Sequence, residues 1–444
     1  MLTEQPPCEH INGVPLDWSG RGTSHVDYDK SEVLPLIQGR FLGHGMHGGV
    51  YETNCNNVRL AWKRKYCRRK IGERERREIE IIKKLSHRHV IRLVGTYTHG
   101  SFLGLLLWPV AVCDLATLIE DVDWLQKRVL VERGLPVELP EDWMDHVDDR
   151  QARLEALGVA FYDSMSWIRN SAVAVLKRTI GCIASAVAYL HMSNIKHKDL
   201  KPSNILLSRD GLWLADFGTA TDFSVLTSSV TDDGERGTLK YFAPEVANFE
   251  PNGRAADIFS IGCIFLEIIT LCCGHTLELT YNLRDSNDRS YQSSIANVIA
   301  WFHTGDWPLY TVPDSQFLDM IRWMMEEQAI RRPTAQMVEE RIALISGFAQ
   351  TGVRASGRVV GFYRTCCNPD SVAHDVTAPQ IIPDSQFTVH VTMGSASRLS
   401  KISDGTRYSF YISLSDESYI QEVMFFVSVL NRAFPPRQLL TYHA

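Results

Sequence analysis

The chain has 444 residues, of which 45% are hydrophobic and 22% charged. That content supports a real core and, at about 100–200 residues per domain, two or three units. The net charge of −6 argues against a protein that works mainly by neutralising nucleic-acid phosphates, and the basic run KRKYCRRK at Lys63–Lys70 reads as a solvated strand end and loop.

The opening MLTEQPPCEH lacks the charged-then-apolar pattern of a secretory leader, and residues 1–36, polar with Pro6-Pro7 and several Gly, are expected to form an irregular tail. From Gln38 onward short runs bounded by Gly and Asn (GRFLGHG, GGVYETN, VRLAWKRK) predict strands. Glu73–Leu85 predicts a helix, with Ile79, Ile82 and Leu85 recurring every third residue on one face. Strands are expected again at Val90–Thr98 and Phe102–Leu107, making four or five strands around one helix.

After Asp114 the pattern turns helical, notably at Val173–Met192 and Ala256–Thr270, with a strand-and-loop stretch at Ile195–Thr221 between them. Residues 119–170, acidic and carrying Trp124, Trp143 and Trp167, read as an insertion. Ile258–Cys273 is the most apolar run, but Glu267 interrupts it and it falls short of the roughly 20 residues of a membrane span. A buried helix is expected there. Residues 347–380 read as a linker. Alternating segments at Phe387–Met393 and Tyr408–Leu414 predict a β-rich unit over 381–444.

Ten cysteines include no CxxC pair, and the adjacent pairs Cys272-Cys273 and Cys366-Cys367 are poorly suited to one metal. The spacing predicts neither a zinc site nor a secreted disulfide framework. Reduced thiols in the cytosol or nucleus are expected.

The residues that carry chemistry come in a fixed order. Gly43, Gly45, Gly48 and Val50 fit GxGxxGxV; glycines there let backbone N–H groups approach phosphate oxygens where a Cβ would collide. No helix follows directly, which disfavours a dinucleotide-binding fold. Ala61-Trp62-Lys63 lies on the next strand, and Glu78 in the following helix could hold that lysine extended. Ile195–Leu207 (IKHKDLKPSNILL) gathers Asp199, Lys201 and Asn204 in a loop stiffened by Pro202. Asp216-Phe217-Gly218 comes next, then Gly237–Glu245 (GTLKYFAPE).

This ordered set resembles the eukaryotic protein kinase superfamily: glycine loop, AxK lysine, helical Glu, HxDxKxxN, DFG and APE. Asp257 and Arg332-Pro333 extend the likeness, which covers roughly residues 37–346, and the HKDLKPSN wording is similar to kinase-domain proteins of filamentous fungi. The resemblance implies an α+β, bilobal fold with a β-rich N-lobe (about 37–110) and an α-helical C-lobe (about 111–346). It also implies an ATP- and Mg2+-dependent serine/threonine kinase acting on protein substrates. By the same likeness Asp199 orients the substrate hydroxyl, Lys201 neutralises charge on the transferred group, and Thr238 shapes the site around them. Asn204 and Asp216 become metal ligands. Lys63, held by Glu78, positions the α- and β-phosphates. Val50 and Ala61 count among the nucleotide-binding residues. Leu107 falls at the gatekeeper, and the Trp108 carbonyl and Val110 N–H face adenine, with Pro109 between them.

Lys198 stands where many relatives have arginine. Thr227, Ser228, Ser229 and Thr231 fall in the activation segment, where a phosphate could pair with Lys198. Ile258-Phe259 replaces a common tryptophan. Glu245 and Arg332 are positioned for a buried pair. Two rival readings remain. A pseudokinase scaffold or interaction protein is disfavoured by intact Lys63, Asp199, Asn204 and Asp216; a small-molecule kinase is disfavoured by the GT…APE segment. Tyr408–Pro435 has a weak likeness to a YEATS-like β-sandwich, which makes the C-terminal segment a candidate partner-binding module. No nucleic-acid or membrane partner is expected.

Overall fold

The computed structural model describes residues 10–11, 14–15, 18–45, 48–55, 57–67, 72–139, 141–161, 164–225, 238–284, 287–304, 312–351 and 361–367. The chain divides into two compact units, Met1–Arg354 with Val359–Val376, and Ala355–Arg358 with Thr377–Ala444. The second unit lies outside the described residues, and with it the β-rich segment, its YEATS-like likeness and its candidate partner site.

The N-terminal half of the first unit is a six-stranded sheet. Its strands are β1 (His25–Tyr28), β2 (Phe41–Gly45), β3 (Gly48–Cys55), β4 (Val58–Tyr66), β5 (Arg92–His99) and β6 (Phe102–Trp108), in the order β1-β5-β6-β4-β3-β2. Only β1 and β5 pair in parallel, His25 opposite Thr96 through Tyr28 opposite His99; the other pairs are antiparallel. Alternation along β4 decides what each face does. Leu60 and Trp62 join Val26, Tyr28, Val94, Tyr97 and Leu106 in an apolar cluster, and Trp62 Nε1 donates to the Tyr97 hydroxyl at 2.8 Å. Ala61, Lys63 and Lys65 take the opposite face.

Two sequence expectations change here. The tail over residues 1–36 is not simply irregular: Trp18, Val26, Tyr28 and Leu36 are buried in the sheet's apolar cluster, and β1 extends the sheet. The basic run is not a solvated strand end in its first half, because Lys63 and Lys65 are both buried.

Helix α1 (Glu73–Lys84) carries Glu73 and Glu75 in its first turn and Lys83 and Lys84 in its last, matching the helix dipole. Its buried face is Glu78, Ile81 and Ile82, completed by Leu85. Ile79 is only half-buried. The inward face is therefore turned from the expected Ile79/Ile82/Leu85 stripe, and a carboxylate belongs to it.

The C-terminal half is helical: α2 (Leu115–Glu132), α3 (Val147–Ala156), α4 (Met165–Lys177), α5 (Thr179–Met192), α6 (Ala255–Cys272), α7 (Val312–Met324) and α8 (Ala335–Thr351). The Asp114 side chain caps α2 by accepting the Thr117 N–H at 2.8 Å. The insertion expected over 119–170 begins too early, because Leu118, Ile119, Val122, Leu125 and Val129 of α2 lie in the main core. Buried Asp121 binds Arg150 at 2.7 Å and Arg153 at 2.9 Å, so an acid of this stretch ties α3 to α2. Helix α6 is long and apolar enough to cross a membrane by composition, yet 83% of its apolar window is buried in the fold. Glu267 within it accepts from the Tyr291 hydroxyl at 2.8 Å and pairs with Lys240 at 2.6 Å.

The linker expected over 347–380 starts inside α8, and residues 361–367 return to the helical body. The Gly181 N–H donates to the Phe362 carbonyl at 2.8 Å, and the Phe362 ring, 2% exposed, sits 4.9 Å from that of Phe317.

Candidate active site

The loop after the short strand Ile195–Lys196 leads into a hairpin of β7 (Ile205–Ser208) and β8 (Gly211–Leu214). Its backbone is set by Asp257 in the first turn of α6. The Asp257 carboxylate accepts the N–H of His197 at 2.9 Å and of Lys198 at 3.0 Å, and contacts His191 Nε2 at 3.0 Å. Lys198 sits at φ 70°, a left-handed conformation costing a non-glycine residue about 1–3 kcal/mol, which persists when the surroundings over-determine it. Burial pushes the Asp257 carboxyl up, but the bond to His191 and nearby cations outweigh it and hold it at about 2.

Held in this way, the loop gathers Asp199, Lys201 and Asn204, and Thr238 joins them from the next segment. Asp199 Oδ2 takes Lys201 Nζ at 2.8 Å and Asn204 Nδ2 at 3.1 Å. Its Oδ1 takes the Thr238 N–H at 2.8 Å and hydroxyl at 3.0 Å. Lys201 Nζ also reaches Thr238 Oγ1 at 2.7 Å.

A second group forms where α1 meets β4 and the Asp216–Gly218 turn. Lys63 Nζ lies 3.0 Å from Glu78 and 2.8 Å from Asp216, and Lys65 pairs with the other oxygen of Glu78. Burial alone would depress the Lys63 ammonium; the two carboxylates outweigh it and its pKa is raised. For Glu78 burial opposes ionisation and the two lysines win, lowering its pKa. Asp216 is likewise pushed up by burial and pulled down further by Lys63, to about 2. Asp216 adopts φ 62°, a second left-handed non-glycine position at this site. Arg74 Nε donates to the Gly218 carbonyl at 3.0 Å, latching α1 to the turn.

The two groups are joined through backbone. The Ala215 N–H donates to the Asn204 carbonyl at 2.9 Å, His197 Nε2 lies 3.1 Å from the Ala215 carbonyl, and the His197 ring is 5.0 Å from that of Phe217.

The remaining candidates are placed by strand register. Gly43 and Gly45 lie on β2 and Gly48 and Val50 on β3, with Gly45 opposite Gly48; residues 46 and 47 lie outside the described set. Gly43 sits at φ 148°, and a Cβ on Gly48 would overlap the Arg64 carbonyl. Val50 is the register partner of Lys63, and Ala61 that of Leu107. Trp108 ends β6, followed by a cis bond to Pro109 and by half-buried Val110. The Val112 N–H anchors this connection to the Leu207 carbonyl at 2.8 Å. Glu245 and Arg332 form a buried two-bond pair at 2.7 and 2.8 Å. Thr227, Ser228, Ser229 and Thr231 lie outside the described residues.

Sequence reasoning gave no site role to Lys65 or Arg74, and marked His197 and Asp257 only as parts of the likeness. Lys65 is legible by period-2 alternation from Lys63, whereas Asp257 reaches its loop across 60 residues, so its role there follows only from the fold.

A β-sheet N-terminal region, a helical C-terminal region and this set of side chains have the arrangement of a eukaryotic-type protein kinase domain. Residues 158–341 match the family model described as the protein kinase domain. The chain is similar to a calcium/calmodulin-dependent protein kinase of Emericella nidulans, with 27% identity over 321 residues, 70% of this chain and 61% of that one. It is similar to a probable cell division protein kinase of Encephalitozoon cuniculi at 29% identity, covering 53% of this chain and 71% of the relative. With mitogen-activated protein kinase kinase kinase 6 of Homo sapiens it shares 25% identity over 55% of this chain. The chain thus spans 61% of the fungal relative's length and 16% of the human one's.

Proposed function

We propose that this chain transfers the γ-phosphoryl group of Mg-ATP to serine or threonine hydroxyls of protein substrates. The observation that carries the reading is the pairing of Lys63 with both Glu78 and Asp216, together with an Asp199 carboxylate fixed by Asn204, Lys201 and Thr238. Phosphoryl transfer asks a protein chiefly for positioning and charge stabilisation. Lys63 is prepared for the first by its two carboxylates, and would take the α- and β-phosphates of the nucleotide. Asp199 is held to orient a hydroxyl and receive its proton, and Lys201, 2.8 Å away, offsets negative charge growing on the transferred group.

The donor set fits Mg2+. Asp216 offers carboxylate oxygen, and Asn204, whose Nδ2 is spent on Asp199, keeps its amide oxygen as an acceptor; both suit a hard cation. Bound there, the metal would neutralise phosphate charge. The glycines at 43, 45 and 48, with Val50 and Ala61, would enclose the nucleotide, the Trp108 carbonyl and Val110 N–H taking adenine. The chain's cysteine spacing, unlike that of a secreted disulfide framework, favours action in a reducing compartment, cytosol or nucleus.

Purified protein incubated with Mg-ATP and a positional-scanning peptide array tests the reading. Phosphate should appear on serine or threonine peptides and vanish with Asp199→Ala. Incorporation by the wild type no greater than by that variant would show a binding scaffold instead.

A further inference from the structure

Away from the ion pairs, three sulfurs and one imidazole nitrogen crowd together. Cys182 on α5, Cys366 and Cys367 in the returning segment, and His89 in the loop between α1 and β5 place their ligand atoms within 4.8 Å of one another. Cys182 Sγ lies 3.8 Å from Cys366 Sγ and 3.6 Å from Cys367 Sγ. A tetrahedron with metal–sulfur bonds of about 2.3 Å has edges of about 3.8 Å. His89 Nε2 stands 2.9 Å from Cys367 Sγ, and a shared ion would open that edge to about 3.5 Å.

We propose that His89, Cys182, Cys366 and Cys367 bind one zinc ion as a closed Cys3His site that staples residues 361–367 to the helical body. Soft thiolates with one imidazole in tetrahedral spacing select zinc among the common divalent ions. The imidazole is already oriented for the task. His89 is fully buried, and its Nδ1 lies 3.0 Å from the Leu212 carbonyl. Donating that N–H fixes the tautomer and leaves the Nε2 lone pair facing the sulfurs, the usual outer support of a zinc-bound histidine.

Charge is also provided for. Three thiolates and Zn2+ sum to −1, the thiol protons leaving to solvent as the zinc–sulfur bonds form. Arg364 is buried among them: its Nη2 donates to the carbonyls of Ser208 and Arg209 at 2.6 and 2.7 Å, while its Nη1 has no hydrogen-bond partner. Arg88 donates to the Cys366 carbonyl. Four protein donors leave no open position, so the ion has a structural task. Sequence spacing hid the site because 184 residues separate Cys182 from Cys366, and the turn Thr365–Cys367 is what lets adjacent cysteines serve one ion.

The test uses the full chain. Protein made in zinc-supplemented medium and dialysed under a reductant should hold about one zinc per chain, falling below about a tenth in Cys182→Ser and Cys367→Ser but unchanged in Cys67→Ser. Should the variants fail to fold, wild type stripped with a chelator and titrated with Co2+ still decides. A tetrahedral site gives intense visible bands and thiolate-to-cobalt charge transfer, saturating at one equivalent. Zinc below about a tenth per chain after reconstitution, with only the pale spectrum of octahedral cobalt, overturns the proposal. So does full zinc retention in the folded Cys182→Ser and Cys367→Ser variants.

Discussion

Thr238 grips Asp199 twice, with its N–H at 2.8 Å and its hydroxyl at 3.0 Å on the same carboxylate oxygen. The hydroxyl also accepts from Lys201, so one side chain sets the spacing of the base and the cation. Replacing Thr238 by Val keeps the backbone bond and deletes the hydroxyl. A hydrogen bond to a charged group is worth about 1.5–3 kcal/mol, so kcat should fall about 10- to 100-fold with little change in KM for ATP, and Thr238→Ser should restore most of it. Initial-rate kinetics on a peptide substrate check this; an unchanged kcat for Thr238→Val would show that the hydroxyl does not position Asp199 during turnover.

Glu78 serves two lysines, and that asymmetry separates stability from activity. Lys63→Met leaves Glu78 paired with Lys65 and strips Asp216, whose side chain is 25% exposed, of its cation. Phosphoryl transfer should drop about 10²- to 10³-fold, with a stability cost of about 1–3 kcal/mol for the Asp216 carboxylate left without its cation. Glu78→Ala instead leaves two buried ammonium groups without their shared partner and should cost about 3–5 kcal/mol. Urea unfolding of both variants gives the comparison. Equal destabilisation would mean that Lys65 does not compensate.

Much of the site could be read directly because its parts are local. Asp199, Lys201 and Asn204 fall within one loop, and the glycine hairpin, Lys63 and Glu78 follow one another at short intervals. What the sequence hid is whatever returns from a distance. Trp18 and β1 have no periodic marker, since a parallel edge strand of four residues carries too little pattern to stand out from a polar tail. The inward face of α1 was misjudged by about one position because Glu78, a charged residue, occupies a core site that hydrophobic counting skips. Residues 361–367 looked like linker because their apolar content is two aromatics and two cysteines.

The returning N-terminal segment gives a third expectation. Trp18 is 4% exposed and packs against Tyr97 with ring centroids 6.2 Å apart, while Cys55 Sγ donates to its carbonyl at 3.3 Å. Trp18→Ala should destabilise the domain by about 3–5 kcal/mol, and a chain begun at residue 37 should unfold at lower denaturant still, having lost Val26, Tyr28 and Leu36 as well. Chemical denaturation followed by tryptophan fluorescence and circular dichroism measures both. A truncated chain as stable as the whole would mean that the sheet closes without β1.

Asp257 gives the last expectation, a dependence on pH. Its carboxyl is held at about 2 against an ordinary 3.8, because the bond to His191 and the charges of His191, Lys196 and His197 outweigh the cost of burying the ionised form. A carboxylate lowered on folding contributes stability that is whole above its unfolded pKa and is lost as pH falls through the folded one. The contribution is therefore complete above about pH 4 and fades toward about pH 2, a change of roughly 2 kcal/mol for nearly two pKa units. Asp257→Asn keeps the volume but does not titrate, so it should be less stable than wild type at neutral pH, and the gap should narrow by roughly 2 kcal/mol across that interval. Asp216 titrates alike in both proteins and cancels from the difference. Urea unfolding of the pair at successive pH values gives the gap directly. If it stays constant from about pH 4 downward, the Asp257 carboxylate has no special hold on the loop that carries Asp199.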